Sequence, residues 1–215
     1  MTTTIILIRH GQTGWNVAGR WQGHTDVPLN EPGREQAHLL AARLRNWPIS
    51  AIYSSDSQRA AETAAILGRA LGMEPVTDHQ WRERHGGLFQ GLTRDEIRVQ
   101  YPQAWKELQR GTVEPPEGES SATLRRRAET AYNALLERHS RETVAVVSHG
   151  GLLRALIGYV LGLPADVDPP ISLHGNTGIS IVEVPEDGRA RLIRLNDTAH
   201  LEGDQSGSEA ASAAK

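Results

Sequence analysis

Two short apolar runs, far apart in the chain, each stop at a histidine followed by a glycine. One is Ile5-Ile6-Leu7-Ile8 ahead of Arg9-His10-Gly11; the other is Thr143-Val144-Ala145-Val146-Val147 ahead of Ser148-His149-Gly150-Gly151. Both are short for a helix and rich in β-branched residues, the pattern of strands buried on both faces. Such strands belong to parallel sheets covered by helices on each side. Set side by side, they would carry His10 and His149 to the carboxyl edge of the sheet, where ligands of open α/β folds bind.

The segments between them supply the covering helices. Asn30 is a helix N-cap with Pro32 in the first turn, and Ala37, Leu40, Ala41 and Leu44 follow at helical spacing until Trp47-Pro48. Ile49 to Ser54 reads as a second strand, Gln58 to Leu71 as an Ala-rich helix closed by Gly72. Residues 76–120 are broken by Gly86-Gly87, Gly91 and Pro115-Pro116, with short helices expected after Thr93 and from Pro102. A long helix is expected from Ser121 to His139, with Arg125-Arg126-Arg127 read as a solvated face, and another from Leu152 to Leu161. Gly178 to Val184 and Arg191 to Leu195 alternate as a strand pair around Pro185-Glu186-Asp187-Gly188. This order predicts an α/β fold, a three-layer α/β/α sandwich with a mainly parallel central sheet and an antiparallel edge from the last pair. Residues 1–202 are expected to form a single domain, with 83–120 as an irregular flap over the site and 203–215 as a weakly ordered tail.

Composition removes several classes. The 215 residues carry a net charge of −3, so no global basic footprint for nucleic acid exists. No apolar run approaches the ~20 residues that span a bilayer, and no signal-peptide pattern precedes the first strand. There are no cysteines, which removes disulfides and thiolate chemistry and is compatible with a reducing cytoplasm. The expectation is a cytoplasmic protein with no membrane or nucleic-acid partner; a homodimer is compatible with the pattern.

The chemistry-bearing residues then converge. Arg9 adjoins His10, and Arg59 lies in the first turn of the helix that follows the second strand, so it can reach the same edge. Arginine forks bind phosphate oxygens in pairs, and a helix starting beside His149 offers N–H groups and a positive dipole end to an anion. Taken singly, Arg59 reads as a surface helix residue and Glu83 as a loop ion-pair partner. His24, His38, His79, His85, His139, His174 and His200 read mostly as surface or structural. A zinc site is disfavoured because His-Glu-x-x-His is absent and arginines flank the histidines. The phosphate loop of ATPases is absent too. Two histidines, two arginines and glycine N–H groups describe a phosphate pocket.

Arg9-His10-Gly11-Gln12-Thr13 resembles the signature of the histidine phosphatase (phosphoglycerate mutase-like) superfamily. Four further blocks resemble that family in the same order: Trp21 to Asn30 with Gly33 and Gln36-Ala37, Ser54 to Thr63-Ala64, Glu83 to Gly91, and Ser148 to Gly151. The resemblance implies a nucleophile at His10, a proton donor and acceptor at Glu83, and charge stabilisation by Arg9, Arg59, His149 and the Gly150 N–H. It also implies that Asn16, Gln22 and Gly23 line the phosphate or leaving group, with no cofactor and no metal. Glu83 must then carry a proton when substrate binds, which burial and the bound phosphate charge favour. Mutases of the family have a tyrosine where Gly86 stands and an asparagine where Gly151 stands, and they carry an extra substrate-binding insertion. Arg94 stands where mutases have a lysine. Pro116-Glu117-Gly118-Glu119-Ser120 resembles the phosphatase branch. The expectation is a metal-independent phosphomonoesterase acting on a small phosphorylated metabolite. The alternatives are a 2,3-bisphosphoglycerate-dependent phosphoglycerate mutase and, behind it, a non-catalytic phosphate-binding member. Trp21, Phe89, Arg94 and Trp105 are candidate walls of the leaving-group pocket.

Overall fold

A computed structural model describes residues 2–109, 114–164, 167 and 169–202. Its strands are β1 (Thr2–Arg9), β2 (Ile49–Ser54), β3 (Val76–Thr77), β4 (Thr143–Ser148), β5 (Ile179–Pro185) and β6 (Arg191–Asp197). They form one sheet in the order β3-β2-β4-β1-β5-β6. Pairings β2–β3, β2–β4 and β1–β4 are parallel, whereas β5 runs antiparallel to β1 and β6 to β5. The helices are α1 (Gly14–Val17), α2 (Glu31–Leu44), α3 (Gln58–Leu71), α4 (Arg94–Gln100), α5 (Pro102–Gln109), α6 (Ser121–Arg138) and α7 (Gly150–Val160).

The period of two along a strand divides the core. Ile5 and Leu7 of β1, with Val144 and Val146 of β4, join the apolar side chains of α6 and α7 on one face. Ile6 and Ile8, with Ala145 and Val147, join those of α2 and α3 on the other. Neither face of the central strands meets water, which is why their sequences run apolar without alternation. The parallel register sets Arg9 opposite Ser148, so His10 and His149 leave the sheet at the same level.

Two glycines let α2 press against that edge. A Cβ at Gly33 would lie 2.1 Å from the Gln12 carbonyl oxygen, and one at Gly11 would lie 2.5 Å from the Gly33 carbonyl oxygen. Asn30 caps the same helix, its side chain accepting the Gly33 N–H at 2.9 Å.

Several elements differ from the sequence reading. β3 was not expected; its two residues are exposed and carry no apolar alternation. α1 forms inside a stretch read as loop, because Thr13 and Asn16 make a reciprocal capping box. The largest correction concerns Arg125-Arg126-Arg127. Successive helical residues point about 100° apart, so three in a row do not share a face, and only Arg126 of the three is exposed. Arg125 is buried, donating to Glu129 at 3.0 Å and to the Leu163 carbonyl at 3.0 Å. Arg127 turns inward to Glu119 at 2.7 Å. Residues 203–215, expected to be a tail, lie outside the described residues.

Candidate active site

His10 is the first residue beyond β1, and its Nδ1 lies 2.7 Å from the Gly11 carbonyl oxygen. A carbonyl only accepts, so Nδ1 carries the proton and Nε2 keeps its lone pair. Burial pushes the His10 imidazole well below its usual value, and the Arg59 and Arg9 charges push the same way. Its neutral form is therefore the one present at neutral pH. His149 stands beside it with ring centroids 5.1 Å apart. Burial, followed by the charge of Arg59, holds His149 well below its usual value too.

Both arginines reach this edge through backbone carbonyls. Arg59, fully buried in the first turn of α3, donates to Thr25 and Gly23 carbonyls, each at 2.9 Å. Arg9 donates to the Leu173 carbonyl at 3.1 Å and to the His174 carbonyl. Around this point lie buried polar atoms with no protein partner: Arg9 Nε, Arg59 Nε, Gln22 Oε1 and both nitrogens of His149. Buried polar groups are almost always paired, so the concentration of exceptions here, mostly on cationic or donor-capable side chains, marks a place built to meet an anion.

Glu83 meets the start of α7. Its Oε2 accepts the Gly151 N–H at 3.0 Å, and its Oε1 accepts those of Leu152 at 3.1 Å and Arg84 at 2.8 Å. The carboxyl group thus rests on the N–H groups of the first turn of α7. A Cβ at Gly151 would lie 2.4 Å from Glu83 Oε1, so the glycine at this position is what admits this pose.

A cleft of about 600 Å³ opens over these groups. Arg9, His10, Asn16, Gln22, Gly23, Arg59, Glu83, Arg94 and Gly150 all line it, and His149 is buried beside His10. Of the four candidate walls, Trp21 and Arg94 border the cleft, whereas Phe89 and Trp105 do not. Phe89 is fully buried against Trp21 and Tyr101, a core position. Trp15, which was not singled out, lines the cleft instead. His174 was read as surface or structural but borders the cleft, and His24 donates from Nε2 to the Glu83 carbonyl at 2.8 Å.

Residues that the sequence reading missed hold the frame. Asn176 donates to the His10 carbonyl at 3.0 Å and to Asn16 Oδ1 at 3.3 Å. The Thr177 N–H donates to the Arg9 carbonyl at 3.0 Å from a left-handed backbone conformation, φ +56°. The available signal was the turn cluster Gly175-Asn176-Thr177-Gly178, which announces a turn but not what it touches.

Residues 5–198 match the model of the histidine phosphatase superfamily, branch 1. The chain belongs to this superfamily. It is 38% identical over 204 residues to a protein of Yersinia pestis named probable phosphoglycerate mutase GpmB, covering 92% of this chain and 94% of that one. Among solved structures it resembles Bacillus stearothermophilus YhfR with a TM-score of 0.86 and 36% identity, over 93% of this chain and 99% of that one. A mycobacterial glucosyl-3-phosphoglycerate phosphatase superposes with a TM-score of 0.84 and 32% identity, over 91% and 99%. A phosphoserine phosphatase from Entamoeba histolytica, solved with phosphoserine, gives 0.82 and 30%, over 93% and 99%. The protein is thus an enzyme of the histidine phosphatase superfamily, and its α/β architecture is that of its phosphatase neighbours. Among the described residues no helix is long and apolar enough to cross a membrane.

Proposed function

We propose that this histidine phosphatase is a metal-independent phosphomonoesterase that acts on a small phosphorylated metabolite through a phosphohistidine at His10. The observation that carries the reading is the oriented imidazole: Nδ1 is bound to the Gly11 carbonyl at 2.7 Å, which leaves the Nε2 lone pair as nucleophile. Nε2 attacks phosphorus, the P–O bond to the leaving group breaks, and the leaving oxygen takes a proton from the Glu83 carboxyl. Water then attacks the phosphohistidine and gives its proton to the Glu83 carboxylate; the N–P bond breaks and inorganic phosphate leaves. Arg9, Arg59, His149 and the Gly150 N–H surround the transferring group, where fixed positive charge and N–H donors supply most of the stabilisation in phosphoryl transfer. Asn16, Gln22 and Gly23 complete the phosphate end, and Arg94 faces the leaving group from the rim. The phosphatase neighbours support hydrolysis, while the Yersinia pestis relative, named a probable phosphoglycerate mutase, makes mutase chemistry the second reading.

The test is hydrolysis of p-nitrophenyl phosphate in the presence of EDTA by the wild type and by His10→Ala. Full activity in the wild type, none in the variant, and an acid-labile phosphoryl label on the wild type alone are expected. Loss of wild-type turnover in EDTA, or turnover that survives in His10→Ala, defeats the reading. With 3-phosphoglycerate, phosphate release should proceed whether or not 2,3-bisphosphoglycerate is added. Bisphosphate-dependent formation of 2-phosphoglycerate far above phosphate release would make the enzyme a mutase.

A further inference from the structure

The segment that carries Glu83 has little regular structure of its own. His79–Trp81 form a short 3-10 turn that ends at Arg82 in extended conformation, and Glu83 follows. Yet four consecutive carbonyls, Gln80 to Glu83, all accept from side chains of other elements. Ser148 Oγ donates to the Trp81 carbonyl at 2.7 Å. One residue of α6 reaches the other three: Arg127 Nη1 donates to the carbonyls of Gln80 at 2.8 Å and Arg82 at 2.7 Å, and Nη2 to that of Glu83 at 3.1 Å, a carbonyl it shares with His24 Nε2 at 2.8 Å. The remaining face of the same guanidinium is clamped by Glu119, with Nε to Oε1 at 3.0 Å and Nη2 to Oε2 at 2.7 Å.

Both partners are largely shielded, with side chains 15% and 11% exposed. Burial pushes the Glu119 carboxyl up, but its hydrogen bond to Arg127 and that guanidinium's charge outweigh this and hold it below its usual range. The planar fork of arginine serves five acceptors from one fixed position, which a lysine ammonium on a flexible stem does not do. Glu119 extends the clamp into the flap: its backbone N–H donates to the His85 carbonyl at 2.9 Å, and its carbonyl accepts from Arg84 Nε at 2.7 Å.

We propose that Arg127, held by Glu119, is a positioning residue for Glu83: it fixes the backbone from which the general acid reaches the leaving oxygen. The inference rests on the role given to Glu83 above. Arg127 touches neither phosphate nor leaving group in this scheme and acts through the chain of Glu83. A carboxyl displaced by about 1 Å loses on the order of 100-fold in rate where its proton is needed, and the need depends on the leaving group. A nitrophenolate departs with little protonation, whereas an alkoxide does not depart without it.

The experiment measures kcat/KM for a series from p-nitrophenyl phosphate through phenyl phosphate to an alkyl phosphate, with Glu83→Gln, Arg127→Lys and Glu119→Gln beside the wild type. This parameter reports phosphohistidine formation and is blind to the later attack of water. Glu83→Gln should steepen the dependence on leaving-group basicity most. Arg127→Lys should lose only a few-fold with p-nitrophenyl phosphate but about 100-fold with the alkyl phosphate, and Glu119→Gln should shift the same way by less. Equal losses across the series in Arg127→Lys would mean a merely structural role and overturn the proposal. Should Arg127→Lys fail to fold, Glu119→Gln, which keeps the side-chain volume, decides by the same criterion. A flat profile in Glu83→Gln would defeat the assignment of Glu83 itself, a distinct result from a flat profile in the clamp variants alone.

Discussion

At position 151 the missing side chain is the functional feature. An added Cβ would stand 2.4 Å from Glu83 Oε1, and the atom it meets is the end of a side chain, not backbone. The clash is therefore relieved cheaply, by the carboxylate moving away. Alanine also favours helix over glycine by about 1 kcal/mol, which offsets the hydrogen bonds the carboxylate gives up at the start of α7. Gly151→Ala should thus unfold within about 4 °C of the wild type while losing at least about 10-fold in kcat/KM on an alkyl phosphate. Thermal unfolding and steady-state kinetics on one preparation check both halves. A variant that keeps full activity would show that Glu83 does its work from another position. His10, Arg9 and Arg59 were legible because each lies in a short motif at the end of a strand or the start of a helix, whereas Glu83, in irregular chain, came forward only through the family resemblance. Arg127 was not, because a run of three arginines says nothing about which one faces inward until the helix phase is known.

Among the elements, α2 is fixed to the end of β1 by backbone meeting backbone. Gly33 lies where a Cβ would come within 2.1 Å of the Gln12 carbonyl oxygen and 2.8 Å of the Gln12 nitrogen. Unlike Glu83, these atoms belong to the loop that bears His10 and yield only if α2 or that loop shifts. Gly33→Ala is expected to destabilise by about 2–3 kcal/mol, the cost of overpacking a tight contact. Urea unfolding would show it as a lower midpoint with an unchanged slope. The same variant should lose activity with p-nitrophenyl phosphate as well as with alkyl phosphates, since it moves the nucleophile and not the acid. Strands β2 and β4 and helices α2, α3, α6 and α7 were readable because apolar spacing, caps and breakers agreed at each. Val76–Thr77, two exposed residues joined to β2, gave no such agreement, and their pairing is set by tertiary contact alone.

On the scale of the whole molecule, the three-layer architecture followed from strands too apolar to have a wet face, and the location of the site followed from where two of them stop. What remained hidden was the packing around Glu83 and Glu119, because the neighbouring glycines and prolines declare turns without saying what they rest on. The cost of the site is also a property of the whole fold. His10 and His149 are both buried and held neutral well below the usual histidine value, and His200, hydrogen-bonded to Thr177, is lowered to about 4. For a histidine whose folded value is depressed, the unfolded chain binds the proton first as pH falls. Stability is therefore retained above about pH 6.5 and declines below it, at a slope that reaches at most about 1.4 kcal/mol per pH unit for each such group. His10 and His149 should therefore lower the stability progressively as the pH falls below about 6.5. The carboxylates that favour the folded state, Asp197 and Glu119, begin to weaken only below about pH 4.5, so the upper window belongs to the histidines. Urea midpoints measured from pH 7.5 to 5 should fall steadily below pH 6.5, and His149→Asn should flatten that fall. A wild-type midpoint that stays level across this interval would mean that the two site histidines accept protons in the folded protein, and with that the neutral nucleophile would be lost.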